Sequence, residues 1–412
     1  MRPALGVAGL VSLTALAACA RGPAPALIGE EPRLRIGLRA GVAEVTVGGD
    51  AELLLSTDDG QPLGVVPPGE PWRVIREGTL LRVEGPAGRR TEPAQWIHAV
   101  PVTEGRFAAV DRRRYRGSLE ILPASTGFTV VNVVGAEGYL VSVVGAELGR
   151  RAPEEIEAVK AQAVVSRTFA LRNRGLRNAL GFDLHGDVRD QVYGGVDNEH
   201  PLAREGVRAT IGEVVMHDGA PIDAYFSSTC GYQTAAVREA FKTASEQPYL
   251  RPVSDRIGGD RYYCDISPRF RWTEEWDGAS LRGILRSTLL QRALVSGEAL
   301  GAVREVRVVE TGRSGRVAEL AIALGDDRVR VPGPEVRAVL RPEPNRLLGS
   351  TAFELHPTVE GGEVTRLVAS GGGWGHGVGF CQWGAVGRAR AGQRYRSIVT
   401  TYFPGTSIAR LY

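Results

Sequence analysis

The sequence predicts an α+β fold, rich in strand and built around one buried central helix. Three observations lead there. Fifty-three glycines and 24 prolines stand against only 10 Phe and 11 Tyr, a balance that favours many turns and short strands over a long helical bundle. Short alternating runs such as Glu44-Val45-Thr46-Val47 and Trp72-Arg73-Val74-Ile75 are separated by Gly49-Asp50, Asp59-Gly60 and Pro67-Pro68-Gly69. One segment, beginning at Pro153, carries both a helix start signal and a helical apolar face. The 412 residues suffice for one large domain or two to three ordinary ones, each with its own core. With 43% apolar residues, 24% charged residues and a net charge of +3, the composition calls for no nucleic-acid partner.

Taken in order, Met1-Arg2-Pro3 and the apolar run Ala4 to Ala18 read as an export signal over residues 1–18. The run is shorter than the roughly 20 residues a membrane span needs. It ends Leu16-Ala17-Ala18-Cys19, which resembles a lipobox, where small residues precede a cysteine whose thiol carries diacylglycerol. An ordinary signal peptide with Cys19 incidental is the alternative. Residues 19–33, with Pro23, Pro25 and Pro32, form a tether with little to bury. Residues 34–110 read as a small β-rich domain, and Gly117 to Leu122 and Phe128 to Val134 as further strands.

Val141 to Ala146 is an apolar, strand-like run ending on Glu147. The strongest helix follows: Pro153 suits the first turn, Glu154 and Glu155 favour the positive end of the helix dipole, and Gly175 stops the chain after about Arg174. Ile156, Val159, Ala163, Val164 and Ala170 give it an apolar face, and its alanines allow neighbours to approach closely, so it should be central and buried. Residues 201–240 combine a short helix with strands near Val214-Val215 and Ala224-Tyr225-Phe226. A further helix spans about Leu281 to Leu294, and Val303 to Leu355 reads as strand and loop.

With Cys19 assigned to lipid, three cysteines remain in an oxidising compartment. Cys230 and Cys264 lie in polar, loop-like segments, and a disulfide joining them is the simplest assignment, leaving Cys381 unpaired. A zinc site is the alternative. It needs four ligands, with His185 and His200 as partners for the pair, and no Cys-x-x-Cys spacing supports it. The expectation is therefore a disulfide, no metal and no cofactor.

Four separated segments have unusual residue choices. The first is Gly138-Tyr139-Leu140-Val141-Ser142-Val143-Val144-Gly145-Ala146-Glu147, followed by Ala158-Val159-Lys160-Ala161-Gln162-Ala163-Val164-Val165-Ser166-Arg167-Thr168-Phe169-Ala170-Leu171. The second is Asp190-Gln191-Val192-Tyr193-Gly194-Gly195. The third is Ala224-Tyr225-Phe226-Ser227-Ser228-Thr229-Cys230-Gly231-Tyr232-Gln233-Thr234, with Tyr249 to Asp255 following. The fourth is Gly373-Trp374-Gly375-His376-Gly377-Val378-Gly379-Phe380-Cys381-Gln382-Trp383-Gly384-Ala385, with Tyr402-Phe403-Pro404-Gly405-Thr406 after it. In kind and order these resemble the signatures of the SpoIID/LytB family of peptidoglycan-acting proteins, over roughly residues 110 to 412. Asp190 stands where the family usually has Ser, Ser227 where His is common, Tyr232 where a second Gly is usual and Cys381 where Ser is frequent.

The resemblance implies that residues 111–412 are a catalytic domain and that Glu147 is its acid. A carboxyl set among apolar walls has a raised pKa and stays protonated near neutral pH, as a general acid must. Without the motif, Glu147 would read as a capping or surface carboxylate ahead of Pro153. Hydrolytic glycosidases normally place two carboxylates about the bond. The segments here offer one, so the resemblance implies a lytic transglycosylase, in which the muramic acid C6 hydroxyl replaces water and leaves a 1,6-anhydro end.

Gln162 and Arg167 lie on the central helix and must find partners if buried, Arg167 by holding Glu147 or another carboxylate. Gln191 and Tyr193 are candidates to bind sugar, against a buried Tyr that merely satisfies its hydroxyl. Ser228 and Gln382 enter as further substrate-binding candidates from the third and fourth segments. The glycines from Gly371 to Gly379 lack phosphate-cradle spacing and are expected to let backbone approach a glycan, with Trp374 and His376 projecting. The implied partners are peptidoglycan glycan strands denuded of stem peptides, a cell-wall amidase, and a membrane reached through the lipid anchor. Two rival readings remain: a non-catalytic glycan-binding modifier of an amidase, and a hydrolase of other exopolysaccharides.

Overall fold

The computed structural model describes residues 29–295 and 301–412. The expected export signal at residues 1–18, Cys19, expected to carry lipid, and most of the expected tether at 19–33 lie outside the described residues. The architecture is α+β and strand-rich, as expected.

The largest sheet has seven strands, in the order Leu184–His185, Arg33–Val42, Phe128–Gly135, Ser118–Pro123, Ile97–Pro101, Leu53–Ser56 and Pro62–Val66. It therefore draws strands from both sides of residue 110. Arg33–Val42 runs antiparallel to Phe128–Gly135, Ile36 facing Asn132, and parallel to the short strand at Leu184, Ile36 facing Leu184. Phe128–Gly135 is buried on both faces, and so reads as an almost unbroken apolar run. Its amide residue, Asn132, is fully satisfied: Nδ2 donates to the carbonyls of Arg116 (2.8 Å) and Ser118 (2.9 Å), and Oδ1 accepts from the Tyr193 hydroxyl (2.7 Å). A five-stranded sheet that includes Glu44–Gly49 and Trp72–Glu77 packs beside it.

Three helices build the layer behind these sheets: α1 (Ala136–Leu148), α2 (Ile156–Asn173) and α3 (Pro201–Ala209). Here the structure departs from the sequence reading, because Val141 to Ala146 belongs to α1 rather than to a strand. Tyr139, Leu140, Val141, Val143, Val144 and Leu148 are all buried, so the helix is apolar around most of its circumference and shows no amphipathic period. Gly149, at φ +69°, stops it just after Glu147. α2 follows the one-turn helix Pro153–Glu155, runs to Asn173 and is buried, as its alanines foretold.

A single apolar cluster joins the front sheets to this helical layer, from Leu34 and Val130 through Leu140 and Val159 to Phe380 and Phe403. A second cluster, including Trp276, Leu285, Leu320, Val336 and Leu367, holds the two three-stranded sheets of residues 271–372. The stretch expected to be strand and loop there contains one further helix, Gly333–Val339. Among the described residues no helix is long and apolar enough to cross a membrane.

Candidate active site

Glu147 occupies the last turn of α1 and borders a cleft of about 440 Å³. Phe169 and Asn173 of α2, Val192, Tyr225, Phe226 and Phe241 form much of its wall. Backbone N–H of Val192 donates to Glu147 Oε1 at 2.8 Å. Burial raises the Glu147 pKa above the ordinary carboxylate value, against the Val192 N–H and the Gln382 amide, which favour the charged form. The position at a helix C-terminus adds to the same end, because the carbonyl pole of the dipole disfavours an anion.

The turn that presents Val192 is held by Asp190. Its Oδ1 accepts from Arg177 Nη2 at 2.6 Å and its Oδ2 from the His185 backbone N–H at 2.7 Å. Asp190 also lines the cleft, but both of its oxygens are committed to this turn. The departure from serine thus has a local reason: a carboxylate can take a guanidinium and a backbone amide at once.

Gln382 reaches Glu147 from the other side. Its Nε2 donates to the Glu147 carbonyl at 3.2 Å and to Gln162 Oε1 at 3.3 Å, while Gln162 Nε2 donates to Ser166 Oγ at 2.9 Å. Both glutamines are buried, so they tie α2 and the helix Gln382–Arg390 to the end of α1 rather than offering amides to a ligand.

The other expected site residues divide. His376 lines the cleft. Its Nδ1 accepts the Val378 N–H at 3.1 Å, so the proton resides on Nε2, which donates to the Phe226 carbonyl at 2.8 Å. Burial, with Arg337 and Arg316 nearby, pushes its pKa down to about 4. It is a neutral wall with both nitrogens engaged.

Arg167 does not reach Glu147. It is fully buried and forms a two-pronged ion pair with Glu137, Nε to Oε1 at 2.8 Å and Nη2 to Oε2 at 2.7 Å, with Nη1 on the Glu213 carbonyl at 3.0 Å. Gln191 accepts from the Tyr139 hydroxyl at 3.1 Å inside the core, and Tyr193 lies between Tyr115 and Tyr139 with its hydroxyl on Asn132. Neither side chain faces the cleft. Ser228 meets Thr229 Oγ1 at 3.3 Å, and Trp374 lies 4.4 Å beneath the Arg269 guanidinium; both stand outside the cleft wall.

The glycine run also differs from expectation. Gly373, Gly375, Gly377 and Gly379 all have positive φ, between +72° and +110°. A Cβ would stand 2.3 Å from the Tyr225 carbonyl oxygen at Gly379 and 2.6 Å from Arg316 Nη2 at Gly377. These glycines serve close packing within the protein, and they let Phe380-Cys381 pair in parallel with Phe226-Ser227.

The expected disulfide is absent. Cys230, Cys264 and Cys381 are free thiols, with Cys230 Sγ 3.6 Å from Cys264 Sγ. His200 and His185, weighed as zinc ligands, are elsewhere engaged: His200 Nδ1 caps α3 by accepting the Ala203 N–H at 3.2 Å, and His185 packs edge-on to Phe182. Phe169, Tyr225, Phe241 and Asp190 were missed as cleft residues. Tyr225 and Asp190 sat within the quoted motifs, whereas nothing in the sequence marked Phe241.

A larger groove of about 510 Å³ lies at Tyr232, Arg271, Trp272 and Phe353, but its carboxylate, Glu354, is solvent-exposed and so is not desolvated. The chemistry points to the Glu147 cleft.

Fold and cleft together define an α+β protein that presents a desolvated carboxyl at a helix end to an aromatic-walled cleft. The family described as Stage II sporulation protein (SpoIID) matches residues 124–217, and an uncharacterized protein of Brachyspira hyodysenteriae is 30% identical over 296 residues, 71% of this chain and 72% of the relative. The chain belongs to the SpoIID/LytB family. Residues 259–379 match a domain of unknown function, DUF8618. Stage II sporulation protein D of Bacillus subtilis is similar at 28% identity over 295 residues, 68% of this chain and 76% of the relative. The amidase enhancer of the same organism is 27% identical over 287 residues, 61% of this chain but only 38% of its own length.

Proposed function

We propose that this chain cleaves peptidoglycan glycan strands as a lytic transglycosylase, with Glu147 serving first as acid and then as base. The observation that carries the reading is the setting of that carboxyl: desolvated, at the negative pole of α1, with one oxygen held by Val192 and the other left to carry a proton. The proton passes to the bridging glycosidic oxygen as the C1–O bond breaks and the leaving sugar departs with its hydroxyl. The resulting carboxylate removes the proton of the muramic acid C6 hydroxyl as that oxygen bonds to C1, which closes the 1,6-anhydro ring and restores the acid. No water is consumed.

The engagement of Asp190 supports this over hydrolysis, since the second carboxylate of the cleft is tied to Arg177 and His185 and is not free to activate water. Envelope attachment through Cys19, with export directed by residues 1–18, belongs to the same proposal. Purified protein incubated with glycan strands stripped of stem peptides should release anhydro-ended fragments, and Glu147→Gln should release none. Reducing ends that carry labelled oxygen from solvent water would instead establish hydrolysis.

The similarity to an amidase enhancer favours a second reading, in which the cleft grips glycan and stimulates a separate amidase. In that case wild type and Glu147→Gln would stimulate equally, and neither would generate anhydro ends.

A further inference from the structure

Four potential ligands from the third and fourth motifs and the chain between them converge in the core. Sγ of Cys230, Cys264 and Cys381 and a carboxylate oxygen of Asp255 all lie within 4.8 Å of one another. All four residues are fully buried, at 0% exposure. They come from four places in the chain: the third motif, Ala224 to Thr234, the loop after Tyr249, the short helix Tyr263–Ile266, and the N-cap of the helix Gln382–Arg390.

We propose that these four residues form a structural zinc site. Size supports the assignment. A tetrahedral zinc with bonds of about 2.3 Å to sulfur places neighbouring sulfurs about 3.8 Å apart. Cys230 Sγ lies 3.6 Å from Cys264 Sγ and 3.7 Å from Asp255 Oδ2.

The surroundings suit a bound thiolate cluster. Cys381 Sγ accepts backbone N–H groups from Cys230 at 3.2 Å and Gly384 at 3.3 Å, which favours its anionic form. Asp255 offers Oδ2 to the cluster because Oδ1 is already held by the Tyr402 hydroxyl at 2.7 Å and by Arg388 Nη2 at 3.0 Å. An orienting hydroxyl and cation behind a ligating carboxylate are what a metal site uses to fix its ligand. The Arg388 charge also offsets part of the negative charge of the four ligands.

Three soft sulfurs and one oxygen in a closed, buried set fit zinc better than the harder calcium or magnesium, which take oxygen ligands. With all four positions filled by protein and none open to the cleft, the ion would hold the fold rather than perform chemistry. A disulfide would engage two of the four groups and leave a thiol and a carboxylate in the core. A single ion engages all of them. It would also fix Cys381, the residue immediately before Gln382, and so hold the helix that reaches Glu147.

The test uses the full chain carrying Cys19→Ser, purified without chelator. Elemental analysis should give about one zinc per chain, and alkylation after denaturation should label Cys230, Cys264 and Cys381 as free thiols. Replacement by cobalt should give sulfur-to-cobalt charge-transfer absorption, which does not depend on enzymatic activity. Tyr402→Phe, which keeps the ring, should fold and bind zinc roughly tenfold more weakly; Cys264→Ser should lose the zinc. If Cys264→Ser does not fold, the cobalt spectrum of the parent chain decides. A Cys230–Cys264 disulfide, three free thiols without bound metal, or another metal at one per chain would each overturn the assignment. None of these outcomes bears on whether Glu147 cuts glycan.

Discussion

The Val192 backbone N–H points at Glu147 Oε1 from 2.8 Å, so a rigid turn, rather than a side chain free to move, fixes one edge of the cleft's buried carboxyl. That arrangement separates what Glu147 does for the fold from what it does for chemistry.

Glu147→Gln should abolish release of anhydro ends and yet make the protein more stable. Burial raises the folded-state pKa, so above the ordinary value of 4.5 the unfolded chain ionises more readily and the side chain subtracts stability. A gain of about 1 kcal/mol at neutral pH is expected, of the size seen when a functional group is removed. Denaturant melts at pH 7 and below pH 4 should show the gain only at the higher pH; equal midpoints at pH 7 would contradict the desolvated setting.

Asp190→Ala should damage both fold and site. The carboxylate is 2% exposed and paired with Arg177, so its loss leaves a cation and the His185 N–H without their partner and should cost about 3 kcal/mol. Activity should fall along with stability, because the turn carrying Val192 loses its anchor. A variant with wild-type turnover would show that the turn holds itself.

Arg167→Met should destabilise by about 3 kcal/mol or more while leaving turnover of the folded fraction nearly unchanged, since Arg167 pairs with Glu137 and not with Glu147. Turnover measured per folded molecule decides this. A large fall in turnover at full folding would return Arg167 to the active site.

His376 predicts an acid limb in stability. Its folded pKa is about 4 against an ordinary 6.5, so between those values the unfolded chain takes up a proton that the folded chain refuses, and stability falls as pH drops through that window. Gln at 376 should flatten that limb. An unchanged pH dependence of the unfolding midpoint in His376→Gln would place the effect elsewhere.

How much of this was legible differs from segment to segment for physical reasons. α2 announced itself through Pro153, the two glutamates and the terminal Gly175, because its boundaries are local chemistry. α1 did not, because a helix buried around most of its surface has no polar face to mark the period, and its valines favour strand on propensity alone. Glu147 and Gln382 were legible through their motifs, but how they meet was not: Val192 contributes only a backbone N–H, and Gln382 acts across 235 positions. Arg167 shows the complementary limit, since the need for a buried partner was readable while the choice of Glu137 depended on how α1 and α2 pack. The thiol cluster escaped for a similar reason. Its members, at positions 230, 255, 264 and 381, lack compact ligand spacing, and Asp255 looks like any other acidic residue until the fold brings it to the cysteines.

Because the Gln382 amide that braces the Glu147 carbonyl is made 235 positions later, this corner of the molecule cannot be completed until late in synthesis. At ordinary synthesis rates the interval is roughly ten to fifty seconds. The acidic residue is therefore made long before its brace, so the finished corner requires nearly the whole chain.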